Sequence, residues 1–354
     1  LLSIIPLVEK FENDRKIDQI LITSSTLSSA KVFQKFNFKK TIHQFFPIDT
    51  NFISKSFLNY WKPSLAIFID SEIWPNMLIN LKRRSIPTVL LNARITYKSF
   101  KKWKIFKSFA KEIFQCFTKA LVCNKETFRY LRYFELKKIK FIGNLKFSEN
   151  KKEKINIPQK INHFFSNKIF WCAGSTHRGE ELLCIKTHLE LKKYYKNFVS
   201  IIIPRHINRK FELINMFKEN NLNFHCHSWK KNISNDVEIY LVDSYGESSL
   251  FYKICKTVFM GGSLIKHGGQ NPLEASRLGC KIIHGPYINN FKDIYKLLQE
   301  LKISELARTN NKLTTFVKAN IRKKQNSSLI IKKIEKRGIK IKELTLKELN
   351  QELA

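Results

Sequence analysis

Nine short apolar runs alternate along the chain with longer segments whose apolar residues recur at helical spacing. This alternation is typical of βαβ units, because parallel strands buried on both faces read as continuous apolar runs. It predicts an α/β fold with doubly wound parallel sheets, in which ligands bind where strands end and helices begin. The predicted strands lie within residues 17–26, 64–70, 87–94, 119–125, 168–176, 198–206, 237–243, 257–263 and 280–286.

The strands fall into two sets, and the 354 residues exceed the usual size of a single hydrophobic core. Between the sets, residues 147–165 are polar and charged and include Pro158. We therefore predict two Rossmann-like domains with a cleft between them. The predicted parts are an N-terminal domain over residues 1–148, a linker over 149–167, a C-terminal domain over 168–312 and a Lys-rich helical tail over 313–354.

Lys and Arg outnumber Asp and Glu by 64 to 29, which gives a formal net charge of +35. Such an excess suggests nucleic acid, an anionic membrane surface or an acidic substrate as partner. Because Lys, Asn, Ile and Phe are abundant together, a compositional drift of the genome explains the charge as well. An RNA-binding protein would show an aromatic and glycine-rich RNP motif, which this sequence lacks. Seven scattered cysteines without a CxxC pair favour the cytoplasm.

Residues 259–279, FMGGSLIKHGGQNPLEASRLG, hold five of the eleven glycines and join a predicted strand to a helix. Asn271 fits the N-cap of that helix, Pro272 its first position and Glu274 its third. The glycines, Gly261 and Gly262 among them, leave bare amides near a helix N-terminus, where phosphate groups bind. A capping box between Asn271 and Glu274 is the structural alternative. The glycine pattern favours a nucleotide site, with Glu274 facing ribose hydroxyls.

A second junction of strand and helix lies at AGSTHRGEE, residues 173–181. Ser175 or Thr176 fits the N-cap of the helix that follows, and His177 or Arg178 fits contact with an anion. An ordinary helix cap explains the stretch equally well.

Charged residues also follow three other predicted strands. Arg205 and His206 end the strand of IIIPRHINR and suit a phosphate or a nucleobase, although a basic surface loop is the alternative. Glu72 follows a first-half strand beside Trp74, where it fits either catalysis at a hydroxyl acceptor or a helix cap. Lys146 precedes the predicted linker and is expected to face the cleft.

Eight motifs, in order and at similar spacing, resemble those of the transferases that add 3-deoxy-D-manno-oct-2-ulosonic acid (Kdo) in lipopolysaccharide synthesis. They are SEIWPN, LNAR, GNLKF, GSTHRGEE, PRH, DSYGE, GGSLIKHGGQNPLE and GPYINNFKDI, between Leu1 and about Leu298. The resemblance implies the GT-B glycosyltransferase fold. It also implies transfer of Kdo from CMP-Kdo to the lipid A precursor (lipid IVA), with inversion and without a metal or other cofactor.

The resemblance also implies roles for individual residues. Glu72 and Lys146 match positions that stabilise the transition state. The glutamate of the family that acts as general base would fall immediately before Leu1, so we expect this chain to bind CMP but to transfer little Kdo. The sequence departs from the family pattern at two places. Ile207 and Asn208 precede Arg209 where the family usually has Pro-Glu, and Ser248 stands where the family usually has a leucine. The implied CMP contacts are Arg205, His206, Gly246, Glu247, Asn271, Pro272, Leu273 and Glu274, with Ser175, Thr176, His177, Gly261 and Gly262 as further candidates.

The family implies a location at the cytoplasmic face of the bacterial inner membrane, with any anchor in a segment before Leu1. Residues 97–120 support a membrane contact, because aromatic and apolar residues recur there at helical spacing among seven lysines. A core helix with a solvated lysine face is the alternative. Rival functions are a GT-B enzyme that uses a UDP-sugar, a basic nucleic-acid-binding protein, and an inactive fragment.

Overall fold

The computed structural model describes residues 2–148, 155–322 and 326–353. It divides into two compact units. Unit 1 comprises Leu1–Lys151 and Lys336–Ala354, and unit 2 comprises Lys152–Glu335.

Unit 1 contains two parallel sheets. β1 (Ile20–Ser24) pairs with β2 (Thr41–Phe45), and β3 (Ala66–Ile69), β4 (Thr88–Ala93), β5 (Lys119–Val122) and β6 (Ile139–Phe141) follow one another in the second sheet. The helices of this part are α1 (Ile5–Glu12), α2 (Leu27–Phe33), α3 (Asn51–Trp61), α4 (Pro75–Arg83), α5 (Tyr97–Ile105), α6 (Lys107–Phe114) and α7 (Lys125–Tyr133), with short 3₁₀ turns at Leu2–Ile4 and Leu145–Ser148.

Local sequence fixes the helix starts in unit 1. The hydroxyls of Thr50 and Thr96 and the amide oxygen of Asn124 each accept a hydrogen bond from the backbone N–H three residues later, at the starts of α3, α5 and α7. β4 is buried along its whole length, as a central parallel strand requires.

Unit 2 contains one parallel sheet of seven strands. Its order is β13-β12-β11-β7-β8-β10-β9. Because β7 has the next strand in sequence, β8, on one side and the later β11 on the other, the strand order reverses at β7, where doubly wound sheets bind ligands. The strands are β7 (Ile169–Thr176), β8 (Phe198–Pro204), β9 (Phe224–Cys226), β10 (Ile239–Leu241), β11 (Thr257–Met260), β12 (Lys281–His284) and β13 (Ser304–Leu306).

Helices precede, connect and follow the strands of unit 2 in the sequence. They are α8 (Gln159–Ser166), α9 (Glu180–Lys192), α10 (Lys210–Glu219), α11 (Ser248–Ile254), α12 (Leu273–Arg277), α13 (Lys292–Glu300) and α14 (Asn310–Arg322), with a 3₁₀ turn at Ile207–Arg209. The last helix, α15 (Ser327–Leu353), belongs to unit 2 up to Glu335 and to unit 1 from Lys336 onward.

All nine predicted strands are confirmed, but the predicted linker differs from the structure. Residues 149–154 of the linker lie outside the described residues, whereas its second half forms α8, which buries Ile161, Phe164 and Phe165. The region of the predicted tail is helical, and it packs on the rest of the chain, because α14 contacts α9 and Leu313 and Val317 are fully buried.

Candidate functional site

Three loops of unit 2 meet at the carboxyl ends of β7, β8 and β11. The amide of Gly261 donates to Gly174 O at 2.8 Å, and the amide of Arg205 donates to Thr176 O at 2.9 Å. Between these bonds the register of β7 shifts at Ser175, which has a left-handed φ of 54°. Bulges of this kind often adjoin active sites, because they redirect the chain and its side chains.

The glycine-rich loop after β11 is shaped by close backbone packing. A Cβ atom at Gly261 would collide with the carbonyl oxygen of Ser175, so glycine is required there. The amides of Gly262, Ser263 and Leu264 are not bare. They donate to the carboxylate of Glu180 at 2.6, 3.0 and 2.9 Å. The prediction of a bare amide at Gly262 is therefore wrong, because this amide already donates to a buried carboxylate, and a role of Gly262 in binding the nucleotide remains a prediction.

His177 is buried in this edge and is held in one tautomer. Its Nδ1 lies 3.1 Å from Ser175 O, and since a carbonyl only accepts, Nδ1 carries the proton and Nε2 is left as an acceptor. Burial, then the neighbouring His267, lowers the pKa of His177 to about 4. His177 is neutral at pH 7, so the anion contact predicted for it gives way to a hydrogen-bond acceptor beside Gln270, whose Nε2 is 3.5 Å away.

Three further predictions for residues 175–178 are corrected. Gly179 is the N-cap of α9, without a side-chain cap from Ser175 or Thr176. Thr176 instead donates its hydroxyl to Glu181 at 3.0 Å. The guanidinium of Arg178, predicted to meet an anionic ligand, pairs with the carboxylate of Glu212, with Nη2 at 2.6 Å from Oε2.

Arg205 and His206 are exposed at the end of β8, next to His177. The His206 ring meets the His177 ring edge-on, with centroids 5.8 Å apart. On the other side His267 lies closer, with a centroid distance of 3.9 Å. His267 and Gln270 were not predicted as site residues, although both stand within the glycine-rich motif. Their place beside His177 depends on the pairing of β11 with β7, which a linear motif does not display.

The predicted helix is present but begins one residue later than predicted, at Leu273 with Pro272 as its N-cap, while Asn271 still bonds to the first turn. The side-chain oxygen of Asn271 accepts from the Leu273 amide at 3.2 Å, and the α12 that follows is short. Gly246, with a φ of 86°, and Glu247 precede α11, whose Ser248 hydroxyl lies 3.5 Å from Glu274 Oε2. The DSYGE and NPLE motifs are thus joined in the fold, and their roles in binding CMP remain predictions.

In unit 1, Glu72 and Lys146 lie in loops at the carboxyl edge of the four-stranded sheet, after β3 and β6. Glu72 is exposed and accepts from the Trp74 indole N–H at 2.8 Å. Asn92, buried with a left-handed φ of 53°, donates to Asp70 and accepts from the Leu145 amide at 3.0 Å. These two hydrogen bonds of Asn92 hold the loop of Lys146 against the end of β3, which precedes Glu72.

The final helix supports the same loop. A Cβ at Gly143, which has a φ of 96°, would lie 3.1 Å from Ile341 of α15. Gly338 lies so close to the carbonyl of Phe147 that a Cβ there would collide with it. Lys119 of β5 pairs with Glu348 at 3.4 Å and with Glu352 at 2.7 Å. The predicted tail thus forms part of the wall behind Lys146.

Comparison with known proteins identifies the family. Residues 1–149 match the family model of the 3-deoxy-D-manno-octulosonic-acid transferases (kdotransferases). A 3-deoxy-D-manno-octulosonic acid transferase of Rickettsia felis is 33% identical over 338 residues, 95% of this chain and 72% of the relative. The chain belongs to the Kdo transferase family. The transferase of Haemophilus influenzae is 28% identical, over 91% of this chain and 76% of its own length.

The fold agrees with that of solved sugar-nucleotide enzymes. The UDP-GlcNAc 2-epimerase of Neisseria meningitidis matches with a TM-score of 0.63 at 12% identity, over 99% of this chain and 96% of the epimerase. This likeness confirms the GT-B fold that the motifs predict.

Two further observations concern the described ranges of the chain, 2–148, 155–322 and 326–353. No helix in them combines the length and apolarity that a membrane crossing requires. Nor do three or more His, Cys, Asp or Glu side chains gather there in a way that could hold a metal ion. The absence of a cofactor remains a prediction.

Proposed function

We propose that the protein transfers Kdo from CMP-Kdo to the lipid A precursor lipid IVA, with inversion, in the synthesis of the lipopolysaccharide core. One observation carries the proposal. Arg205 and His206, predicted to contact CMP, stand with His177 and the glycine-rich loop at the strand-order reversal of a GT-B sheet. Membership of the family supports Kdo as the transferred sugar, and this arrangement of residues supports a nucleotide as the donor's leaving group.

The proposed donor contacts divide by charge. The exposed Arg205 guanidinium suits the phosphate of CMP, because it offers several N–H donors in a planar fork. Neutral His177 instead accepts a hydrogen bond at Nε2 from a hydroxyl of the ribose or the sugar, which takes the place of the Gln270 amide 3.5 Å away. Asn271, Leu273 and Glu274 complete the proposed nucleotide site.

The proposed reaction requires removal of a proton from the acceptor and stabilisation of the charges that develop in the transition state. The acceptor hydroxyl loses its proton to a general base and attacks the anomeric carbon of Kdo, while the bond to the CMP phosphate breaks. The transition state resembles an oxocarbenium ion, which the carboxylate of Glu72 stabilises. The departing CMP gains negative charge, which Arg205 and Lys146 stabilise by fixed positive charge. In this proposal no step needs a metal.

The acceptor is a lipid, and unit 1 displays apolar side chains that suit a membrane surface. The helix predicted over residues 97–120 breaks at Phe106 into α5 and α6. At this break Ile105 is 74% exposed and Phe106 68% exposed, whereas Ile113 and Phe117 are buried. The apolar residues at helical spacing in 97–120 therefore form two groups. Ile113 and Phe117 lie in the core, whereas Phe106 is exposed and can enter the headgroup region of a membrane.

A second apolar surface adjoins Glu72. Ile48 is 73% exposed and Phe52 82% exposed. Their loop is fixed to the Glu72 turn, because Asp49 accepts from the Met77 amide at 2.8 Å and Phe46 stacks on Trp74 at 4.9 Å. We place the acyl side of the acceptor on this face, at the cytoplasmic surface of the inner membrane.

The function is tested in cells. Expression of the gene that encodes this chain, together with the codons upstream of Leu1 that are expected to supply the general base, in a bacterium depleted of its own Kdo transferase, is expected to restore Kdo-containing lipopolysaccharide. Glu72→Gln is expected to abolish the rescue at equal protein level, measured by mass spectrometry of the lipid, whereas a change at exposed Lys196 is expected to leave it intact. Full rescue by Glu72→Gln would contradict the role of Glu72, and accumulation of a different sugar would contradict the donor.

A further inference from the structure

We propose that Glu180 is a positioning residue that holds the two donor-binding loops of unit 2, residues 175–179 and 261–264, in one arrangement. The inference rests on the proposed function, because the ligand of these loops is taken to be CMP-Kdo. Sequence motifs and family resemblance assign Glu180 no role beyond the start of α9.

Glu180 is fully buried and accepts four main-chain hydrogen bonds from two loops. Its Oε2 accepts from the amides of His177 at 3.1 Å and Gly262 at 2.6 Å. Its Oε1 accepts from the amides of Ser263 at 3.0 Å and Leu264 at 2.9 Å. One carboxylate thereby ties the loop after β7 to the loop after β11.

These bonds are strong because an anion accepts them in a dry environment. Burial raises the pKa of Glu180, and the four amides oppose that rise by stabilising the charged form. A glutamine at this position would offer a single neutral acceptor oxygen and would direct an NH₂ group toward amide donors. At least one amide would then lose its partner.

The arrangement of the imidazoles depends on the same loop. A Cβ at Gly262 would lie 3.3 Å from His177 Cε1 and 3.3 Å from His267 Nδ1, so Gly262 packs against both rings. The carbonyl of Gly262 accepts from the Gly269 amide at 2.7 Å, one residue before Gln270. Glu180 therefore controls where His177 and His267 stand, without facing the ligand itself.

The neighbouring Glu181 provides a matched control. It is also fully buried, yet it binds Thr176 Oγ1 at 3.0 Å and Arg209 Nη1 at 2.8 Å and has no hydrogen bond to the glycine-rich loop in the described structure. Loss of this carboxylate removes a buried charge without releasing the Gly262–Leu264 amides.

The test compares wild type with Glu180→Gln, Glu180→Asp and Glu181→Gln by CMP titration calorimetry, thermal unfolding and amide hydrogen exchange. For Glu180→Gln we expect faster exchange in the peptides that cover 175–179 and 261–264, and CMP affinity weaker by about tenfold or more. Glu180→Asp, which keeps a carboxylate, is expected to recover part of that affinity. Glu181→Gln is expected to lower the melting temperature while it leaves CMP affinity and exchange at 262–264 near wild type.

Specific outcomes contradict the proposal. Folded Glu180→Gln with unchanged CMP affinity would overturn it, as would a Glu181→Gln chain that loses affinity equally. If Glu180→Gln does not fold, the Glu180→Asp variant decides. A Glu180→Asp variant with wild-type CMP affinity despite faster exchange at 262–264 would also overturn the proposal. A wild-type chain that binds UDP but not CMP contradicts the proposed donor, whereas the exchange data still report on the two loops.

Discussion

His177 shows how a fold changes the meaning of a residue in a basic sequence. Beside Arg205 and in a chain of net charge +35, a histidine suggests an anion contact. The folded protein buries it beside His267 and directs its Nδ1 proton to Ser175 O, so it is neutral and accepts hydrogen bonds at Nε2. Charge at this edge comes from Arg205 instead.

The first prediction concerns pH. In the unfolded chain His177 binds a proton below pH 6.5, but in the folded protein only below about pH 4. Between these values the unfolded state binds more protons, so stability falls as the pH is lowered. His177→Gln is expected to show a shallower loss of unfolding free energy between pH 6.5 and pH 5 in urea titrations. Equal slopes in the two proteins would contradict the lowered pKa.

The elements divide into those that local sequence predicts and those that it does not. Continuous apolar runs predict the long buried strands, such as β8 (Phe198–Pro204), correctly. Of the strands that were missed, β6, β9 and β13 have three residues each, and β6 (Ile139–Phe141) carries a lysine at its centre. The fourth, β2 (Thr41–Phe45), has five residues but includes the polar His43 and Gln44. Such strands owe their existence to a pairing partner rather than to their own composition.

The second prediction concerns the effect on stability of replacing Gly338, which lies inside α15. Helix propensity alone predicts that Gly338→Ala stabilises the protein by about 1 kcal/mol. The new Cβ would instead collide with the backbone carbonyl of Phe147, so we expect a net loss of about 1–3 kcal/mol. Urea unfolding measures the change, and Lys336→Ala on the exposed side of the same helix is the control. A stabilised Gly338→Ala protein would contradict the close contact.

The break between α5 and α6 gives the third prediction. Replacing Lys101, Lys102, Lys104 and Lys107, all exposed, with glutamine is expected to weaken binding to phosphatidylserine vesicles by about 3–4 kcal/mol, because each lysine near an anionic surface contributes about 1 kcal/mol. Vesicle sedimentation measures the change.

A matched control separates this surface from net charge. Lys332, Lys336, Lys340 and Lys347 of α15 are also exposed, and their replacement by glutamine removes the same charge. This control is expected to retain most of the vesicle binding. Binding that survives the changes at α5 and α6 would discard the membrane contact there.

For the whole molecule, the motifs were sufficient for the family and the fold but not for the contacts inside the site. GSTHRGEE and the glycine-rich motif marked the correct strand ends. The carboxylate of Glu180 on the Gly262 amide and the place of His267 beside His177 both arise from the pairing of β7 with β11. Parallel pairing joins residues far apart in sequence, so spacing along the chain does not reveal which amide a buried carboxylate will occupy.

A crystal structure of the protein soaked with CMP tests the central claim most directly. We expect density for the nucleotide at the carboxyl ends of β7, β8 and β11 in unit 2, with its phosphate at Arg205 and a hydroxyl at His177 Nε2. An empty edge in crystals that hold CMP elsewhere would contradict the account.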